Sequence, residues 1–410
     1  MSSGRRRSLL SLFARAAAAA LPFALAGLGL AAADTQAWLK TAEERYAHYR
    51  RTLDPADLAA SEAAVAKGLL ASPGDFGLRK FRLRLLLPHH RFEELAQEAA
   101  ALKAEQPHDA ELDGALGDAF LETGRYPEAF AAYDRFVTAK PCTASYSRAA
   151  LAKDVAGDLQ GALAAMDLAA SAALPADLEG YAWCRARAAR ILLKMNRYED
   201  AEGRLVEALL RVPNHAPALA AAAEIAARKG LWEPATRLAE QSFALVPEFA
   251  VAAALVDYRH AMRDVAGEER AKATVRTLEA LLPEGEKKIH RLLALYLAEH
   301  GDARRAVEMT SKELETRKDI GGYDAYSWCL YRAGRARDAS EPMAKALATG
   351  MIDPMLEFHA GAIARAAGDR KAALAHLTRA LEIDPRFHVL YADEARRMKR
   401  EIEKETSANE

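Results

Sequence analysis

Residues 116–141, Leu116 to Pro141, read LGDAFLETGRYPEAFAAYDRFVTAKP. Two runs with helical apolar spacing flank Gly124, a residue suited to the left-handed conformation that ends a helix. Gly117 in the first run and Ala129 in the second are small, so two helices can cross there with their backbones close. Pro141 then forbids continuation of the second helix. The stretch encodes a helical hairpin, and the rest of the chain repeats it. Prolines stand at Pro73, Pro107, Pro141 and Pro175, each 34 residues after the last, and again at Pro213, Pro247, Pro283 and Pro385. Ala129, Ala162, Ala201, Ala235, Ala271, Ala306, Ala339 and Ala373 follow one another at intervals of 33, 39, 34, 36, 35, 33 and 34 residues. A period near 34 marks a repeat array, which suits 410 residues better than one compact core.

The other hairpins carry the same punctuation. Gly157, Gly230, Gly301, Gly334 and Gly368 fall between paired amphipathic runs, and Asn196 takes that place in its own repeat. The small position of the first helix is held by Gly117, Ala150, Ala189, Ala223, Ala294, Ser327 and Gly361, and it departs from pattern at Leu83 and Arg259. Those two hairpins are expected to pack more loosely or to sit in another register. The 39-residue interval, around Leu174 to Gly180, is expected to loosen the stack and act as a hinge. No alternating run bounded by hairpin turns is present, so no strand is predicted.

On Leu116 to Phe120, Gly124 to Tyr126, Ala129, Tyr133 and Pro141, and on Ala360-Gly361, Gly368-Asp369, Ala373, Leu377, Ala380 and Pro385, the chain resembles the tetratricopeptide repeat (TPR) family. The resemblance implies an all-α, TPR-type right-handed α-solenoid of about ten helical hairpins over 34–385. A C-terminal capping helix and short tail follow over 386–410. The cap turns Phe387, Leu390, Met398 and Ile402 toward the array and Arg396, Arg397, Lys399, Arg400 and Glu403 toward water.

Ahead of the array, Arg5, Arg6, Arg7 and Arg15 precede an apolar run from Ala16 to Leu30 that ends in Ala31-Ala32-Ala33 before Asp34. This has the layout of a secretory signal over 1–33, cleaved between Ala33 and Asp34, and predicts an exported protein, periplasmic or extracellular, with no stable membrane insertion. The general and twin-arginine export routes both remain open. Losing four arginines and no acidic residue takes the formal charge from −1 to −5. That balance argues against nucleic acid. Cys142, Cys184 and Cys329 are few and widely spaced, so they encode neither a disulfide framework nor a zinc site. The common catalytic and phosphate-binding motifs are missing outside the signal, so no enzyme activity, metal or cofactor is expected. His89-His90 reads as a solvated turn, and His359 and His376 as packing or surface histidines.

The expected function is binding. In TPR proteins the first helix of each pair lines the inner groove. The repeat register places Lys80, Arg84, Arg148, Arg187, Arg190 and Lys194 at or near it, interrupted by Glu111, Asp118 and Asp154. Such a row either grips an acidic peptide or chain carboxylate, or is a solvated charged face. The asparagines of the family's known carboxylate clamp have no counterpart, since Asn196, Asn214 and Asn409 lie elsewhere. Trp328, Tyr331 and Phe358 share the register, with Tyr323 and Tyr326 close by, and read either as interface anchors or as seam fillers. Trp328 is the candidate exposed anchor. The chain is thus expected to be an exported scaffold or adaptor for a protein or extended peptide, in assembly or maintenance of a cell-envelope complex. The alternative is a glycan or small-ligand binder using the aromatic patch around Trp328.

Overall fold

The computed structural model describes residues 35–407, so the signal reading of 1–33 and the Ala33–Asp34 junction lie outside the described residues. Two compact units divide it. The first holds residues 35–89 with Ala104–Gln106, and the second holds His90–Lys103 and everything from Pro107 on. The division falls inside the hairpin whose first small position is Leu83.

In the first unit, α1 (35–52), α2 (Pro55–Ala71) and α3 (Phe76–Leu86) close over Leu58, Val65, Leu78, Phe81 and Leu85. Asp54 and Asp75 cap α2 and α3 by accepting from backbone N–H groups that the helix leaves unpaired. Ser61 donates to the carbonyl of Ala42 at 2.8 Å, which ties α2 to α1.

The second unit begins with α4 (Phe92–Glu105), most of which belongs to it, and continues with hairpins α5 (Ala110–Glu122) and α6 (Tyr126–Ala139), and α7 (Thr143–Val155) and α8 (Leu159–Ser171). Next come α9 (Leu178–Lys194) with α10 (Tyr198–Arg211), α11 (Ala216–Arg228) with α12 (Trp232–Leu245), and α13 (Phe249–Ala261) with α14 (Val265–Leu281). A single turn, α15 (Glu284–Lys287), leads into α16 (Arg291–His300) with α17 (Ala303–Glu313). The array ends with α18 (Ile320–Arg332) and α19 (Ala336–Leu347), then α20 (Pro354–Ala367) and α21 (Arg370–Ile383). The cap, α22 (Tyr391–Ser407), starts five residues later than Arg386, because residues 386–390 are not helical. Phe387, Met398 and Ile402 are buried, while Arg397, Arg400 and Glu403 are exposed. No strand occurs among the described residues.

The small residues do what their spacing implies. Ala129, Ala162, Ala201, Ala235, Ala306, Ala339 and Ala373 are fully buried where paired helices cross. A Cβ on Gly117 would meet the Tyr133 ring at 2.3 Å, so only glycine lets α5 and α6 approach this closely. Three expectations need correction. Arg263, at φ 57°, is the left-handed residue of the α13–α14 hairpin, so Val256, seven residues earlier and fully buried, holds the first small position instead of Arg259. Ala271 is correspondingly only part-buried, and Gly267 is the buried small residue of α14. Gly301, at φ −149°, is not left-handed, and Asp302 begins α17 by capping Arg304 and Arg305. The long interval does not loosen the stack. Its extra residues go into a 17-residue α9, and one core runs without a break from Met166 and Ala169 to Cys184 and Leu192.

The second unit also winds back on itself. The turns inside its early hairpins meet the loops between its late ones. Lys318 N–H donates to the Glu122 carbonyl at 3.0 Å, and the Ile320 N–H to the Tyr126 hydroxyl at 2.7 Å across 194 residues. Arg317 pairs with Glu122 at the same place. A Cβ on Gly124 would stand 2.4 Å from the Lys318 carbonyl oxygen, and one on Gly157 2.5 Å from that of Gly350. These glycines serve both a positive φ and a close approach of distant backbone.

Candidate functional site

Consecutive first helices of the second unit are linked side by side by charged side chains, and their common face is the candidate binding surface. Arg148 of α7 grips Asp118 of α5 through two N–H groups at 2.8 and 2.6 Å, and Tyr133 donates to the same carboxylate at 2.9 Å. Lys194 of α9 pairs with Asp154 of α7 at 3.0 Å and with Asp353 at 3.4 Å. Asp118 and Asp154, which break up the basic row, are therefore its counter-ions, while Glu111 pairs with Lys140 outside it, and neither Arg148 nor Lys194 is left to hold a partner. Lys80 and Arg84 lie on α3 in the first unit, Lys80 half-buried and Arg84 exposed with its guanidinium 5.7 Å from the Phe81 ring centre.

Arg187 differs from all of these. Trp183, Arg187, Arg190 and Lys194 recur at helical spacing along one side of α9. The Arg187 guanidinium sits 5.9 Å from the Trp183 ring centre, and among the described residues it has no carboxylate within ion-pair distance. Burial pushes its pKa down, Arg190 adds to that by repulsion, and Asp154 opposes it. Arg190 pairs with Glu224 of α11 at 3.6 Å, and that carboxylate is already held by Arg228. A half-buried guanidinium without a counter-ion is unfavourable, and an anion laid beside it would supply what is missing. Sequence spacing identifies the row but not Trp183, whose part in it depends on Arg187 folding over the indole.

The aromatic candidates are brought together, but in the core. Trp328 is 3% exposed and Phe358 fully buried, so the expectation of an exposed Trp328 anchor is overturned. His359 stacks on the Trp328 indole at 4.0 Å, Tyr331 lies 4.9 Å from it, and Tyr391 stacks on Phe358 at 5.0 Å. The indole N–H donates to Glu299 at 2.6 Å, and Arg332 pairs with the other oxygen at 3.1 Å. The set fills the seam where α16, α18 and α20 meet the start of the cap, which leaves no open tryptophan face for a sugar to stack on. His359 and His376 do not approach as a pair: each faces a carboxylate, Asp324 at 2.8 Å and Glu357 at 2.6 Å. His90 is not a solvated turn residue, since its ring is largely buried with Nδ1 unpartnered. Among the described residues no group of three or more His, Cys, Asp or Glu side chains is placed to hold a metal ion, and no helix is long and apolar enough to cross a membrane.

Farther along the same face lie acids that spacing did not single out. The pKa of Asp257 on α13 is pushed up to about 7 by burial, with Glu299 and Glu268 repelling its charge. Its neighbours are the imidazoles of His388, at 3.6 Å, and His300, at 3.9 Å. Burial and the nearby Arg228 push the His388 pKa down to about 3, so it is neutral at pH 7. Asp257 and Glu224 occupy equivalent places on successive first helices, each directly after the residue at the crossing position, Val256 and Ala223.

No known protein-family profile and no curated protein sequence matches the chain. Solved structures with a similar arrangement include the APC/C hetero-tetramer Cut9-Hcn1, at TM-score 0.43 and 12% identity over 84% of this chain and 52% of that one. Others are the human IFIT1 dimer with PPP-AAAA, at 0.45 and 13% over 84% and 82%, and TTC0263, a TPR protein of Thermus thermophilus, at 0.38 and 17% over 44% and 92%. The chain spans about half the length of the Cut9-Hcn1 chain it matches. At these scores the likeness carries no argument about function. The chain's own succession of helical hairpins, crossing at buried alanines and glycines, makes it an all-α solenoid of the tetratricopeptide type.

Proposed function

We propose that the chain is an interaction scaffold that holds an extended polypeptide or a partner subunit on the face of its first helices. The observation that supports this reading is Arg187: a half-buried guanidinium beside a second arginine and over Trp183, with no carboxylate in ion-pair distance among the described residues. Arginine forms paired hydrogen bonds to carboxylates, so an acidic stretch of a partner suits the place. The arginine-rich, alanine-ended leader supports export, and with it a role beyond the cytoplasmic membrane in assembly or maintenance of an envelope complex.

The test is crosslinking of the tagged protein in cells followed by mass spectrometry, with wild type compared to an Arg187→Glu, Arg190→Glu variant. Specific proteins recovered by wild type and lost by the variant, with helicity unchanged by circular dichroism, uphold the reading. The same proteins recovered by both place the binding surface elsewhere. Fractionation of the cells decides the export proposal, which fails if the full-length chain with its leader stays in the cytoplasm.

A further inference from the structure

The non-helical segment between α21 and α22 does not simply connect them. It lies on the face of the first helices, held at several points along its length. Asp384, fully buried, accepts from the Tyr198 hydroxyl at 2.6 Å and from Arg228 at 2.8 Å, residues 186 and 156 positions earlier. Arg386 lies 4.1 Å from the centre of the Tyr198 ring. Val389 packs against the core formed by α11, α12 and α13, His388 faces Asp257 at 3.6 Å, and the Tyr391 hydroxyl lies near Glu299.

A part of the chain thus occupies the surface that the fold offers to other chains, and the fit is incomplete in an informative way. Of the pocket's carboxylates, Glu224 on α11 is matched by Arg228 and Glu299 on α16 by Arg332, while Asp257 on α13 has no arginine or lysine within ion-pair distance among the described residues. The group that the chain places against Asp257 is a histidine, which carries no charge at neutral pH in these surroundings. A lysine or arginine there would keep its charge and supply the missing counter-charge. We propose that the face of α11, α13 and α16 under residues 384–391 is a docking surface for an extended partner segment with a basic side chain set among aromatic and aliphatic ones, and that residues 384–391 fill it until such a segment displaces them. This rests on the first-helix face being a binding surface, and it concerns a different stretch of that face from Arg187.

The experiment uses the full chain and a fluorescein-labelled peptide of residues 384–391, DPRFHVLY, together with a second peptide in which arginine stands for the histidine. Val389→Asp weakens the seating of the chain's own segment, and Arg386→Ala does so more gently. By fluorescence anisotropy the arginine peptide is expected to bind either variant at least about tenfold more tightly than wild type, to bind more tightly than the native-sequence peptide, and to lose that advantage when Asp257→Asn is added. Equal binding of the arginine peptide to wild type and to folded Arg386→Ala overturns the proposal. Hydrogen exchange of wild type gives a second reading that needs no variant. Amides of 386–390 that exchange well before those of α20 and α21 support a displaceable segment, and exchange only at the rate of the neighbouring helices makes it a fixed part of the cap. If the peptides fail while Arg187→Glu, Arg190→Glu still loses its crosslinks, only this inference falls.

Discussion

The face of the first helices has two stretches that treat charge differently. On α5, α7 and the end of α9, cations and carboxylates are matched, until Arg187 is left over. On α11, α13 and α16 arginines match Glu224 and Glu299, Asp257 is left over, and the chain's own segment 384–391 lies over it. A repeat array with the same scaffold at every step has thus left an arginine over in one stretch and a carboxylate in the other. The helices are equivalent, and the side chains at one register position are not. An extended segment bound across both would be fixed in direction, its acidic part at α9 and its basic part toward α13.

The largest expected effect comes from removing the anchor of the covering segment. Asp384→Ala leaves the buried Tyr198 hydroxyl without its acceptor and the buried Arg228 guanidinium with only Glu224 of its two carboxylates, and is expected to cost about 3–5 kcal/mol in urea unfolding followed by circular dichroism. A loss near zero would mean that the segment contributes nothing to closing the second unit. Next is a matched pair of glycines that share φ 75°. A methyl group placed on Gly230 would have no atom within 4 Å, so Gly230→Ala is expected to cost only the backbone strain of about 1–2 kcal/mol. Gly124→Ala adds a collision with the Lys318 carbonyl and is expected to cost about 1–3 kcal/mol more. Equal losses would show that the winding of early turns against late loops is not formed in solution.

A third prediction concerns pH at the start of the second unit. Burial, with Arg317 and Arg291 nearby, lowers the His90 pKa from 6.5 to about 4. The unfolded chain therefore takes up a proton at His90 more readily than the folded one, so stability is full above pH 6.5 and is lost as pH falls toward 4. His90→Asn, which keeps a residue tolerant of φ 55°, is expected to remove a part of that slope worth about 1–2 kcal/mol, read from urea midpoints across this range. An unchanged slope would mean the ring is solvated. The smallest effect sharpens the comparison most. Arg187→Ala is expected to change stability by no more than about 0.5 kcal/mol while abolishing partner capture, because it removes a charge that no carboxylate among the described residues pairs. Arg148→Ala, which strands Asp118, is expected to be clearly destabilising in the same assay.

The places where reading the sequence succeeds and fails follow from the range of the forces involved. Gly124, Asn196 and Ala129 act within one hairpin, so their spacing is enough to identify them. The α13–α14 register is misread because an arginine, Arg263, takes the left-handed position that glycine usually marks. Trp328 is misread for a different reason. Its register is that of a groove residue, but a segment about 60 positions later in the chain covers it, and no local pattern announces that.

What the sequence determined by itself was the hairpin, its period, its small crossing residues and the existence of a cap. All of these depend on contacts between residues fewer than about 35 apart, which repeat and so reinforce one another along the chain. What only the tertiary structure decided was how the second unit closes. The meeting of Gly124 with Lys318, and of Tyr198 and Arg228 with Asp384, depends on small rotations added up over several hairpins. The same summation settles which charges on the first helices find partners and which, like that of Arg187, do not.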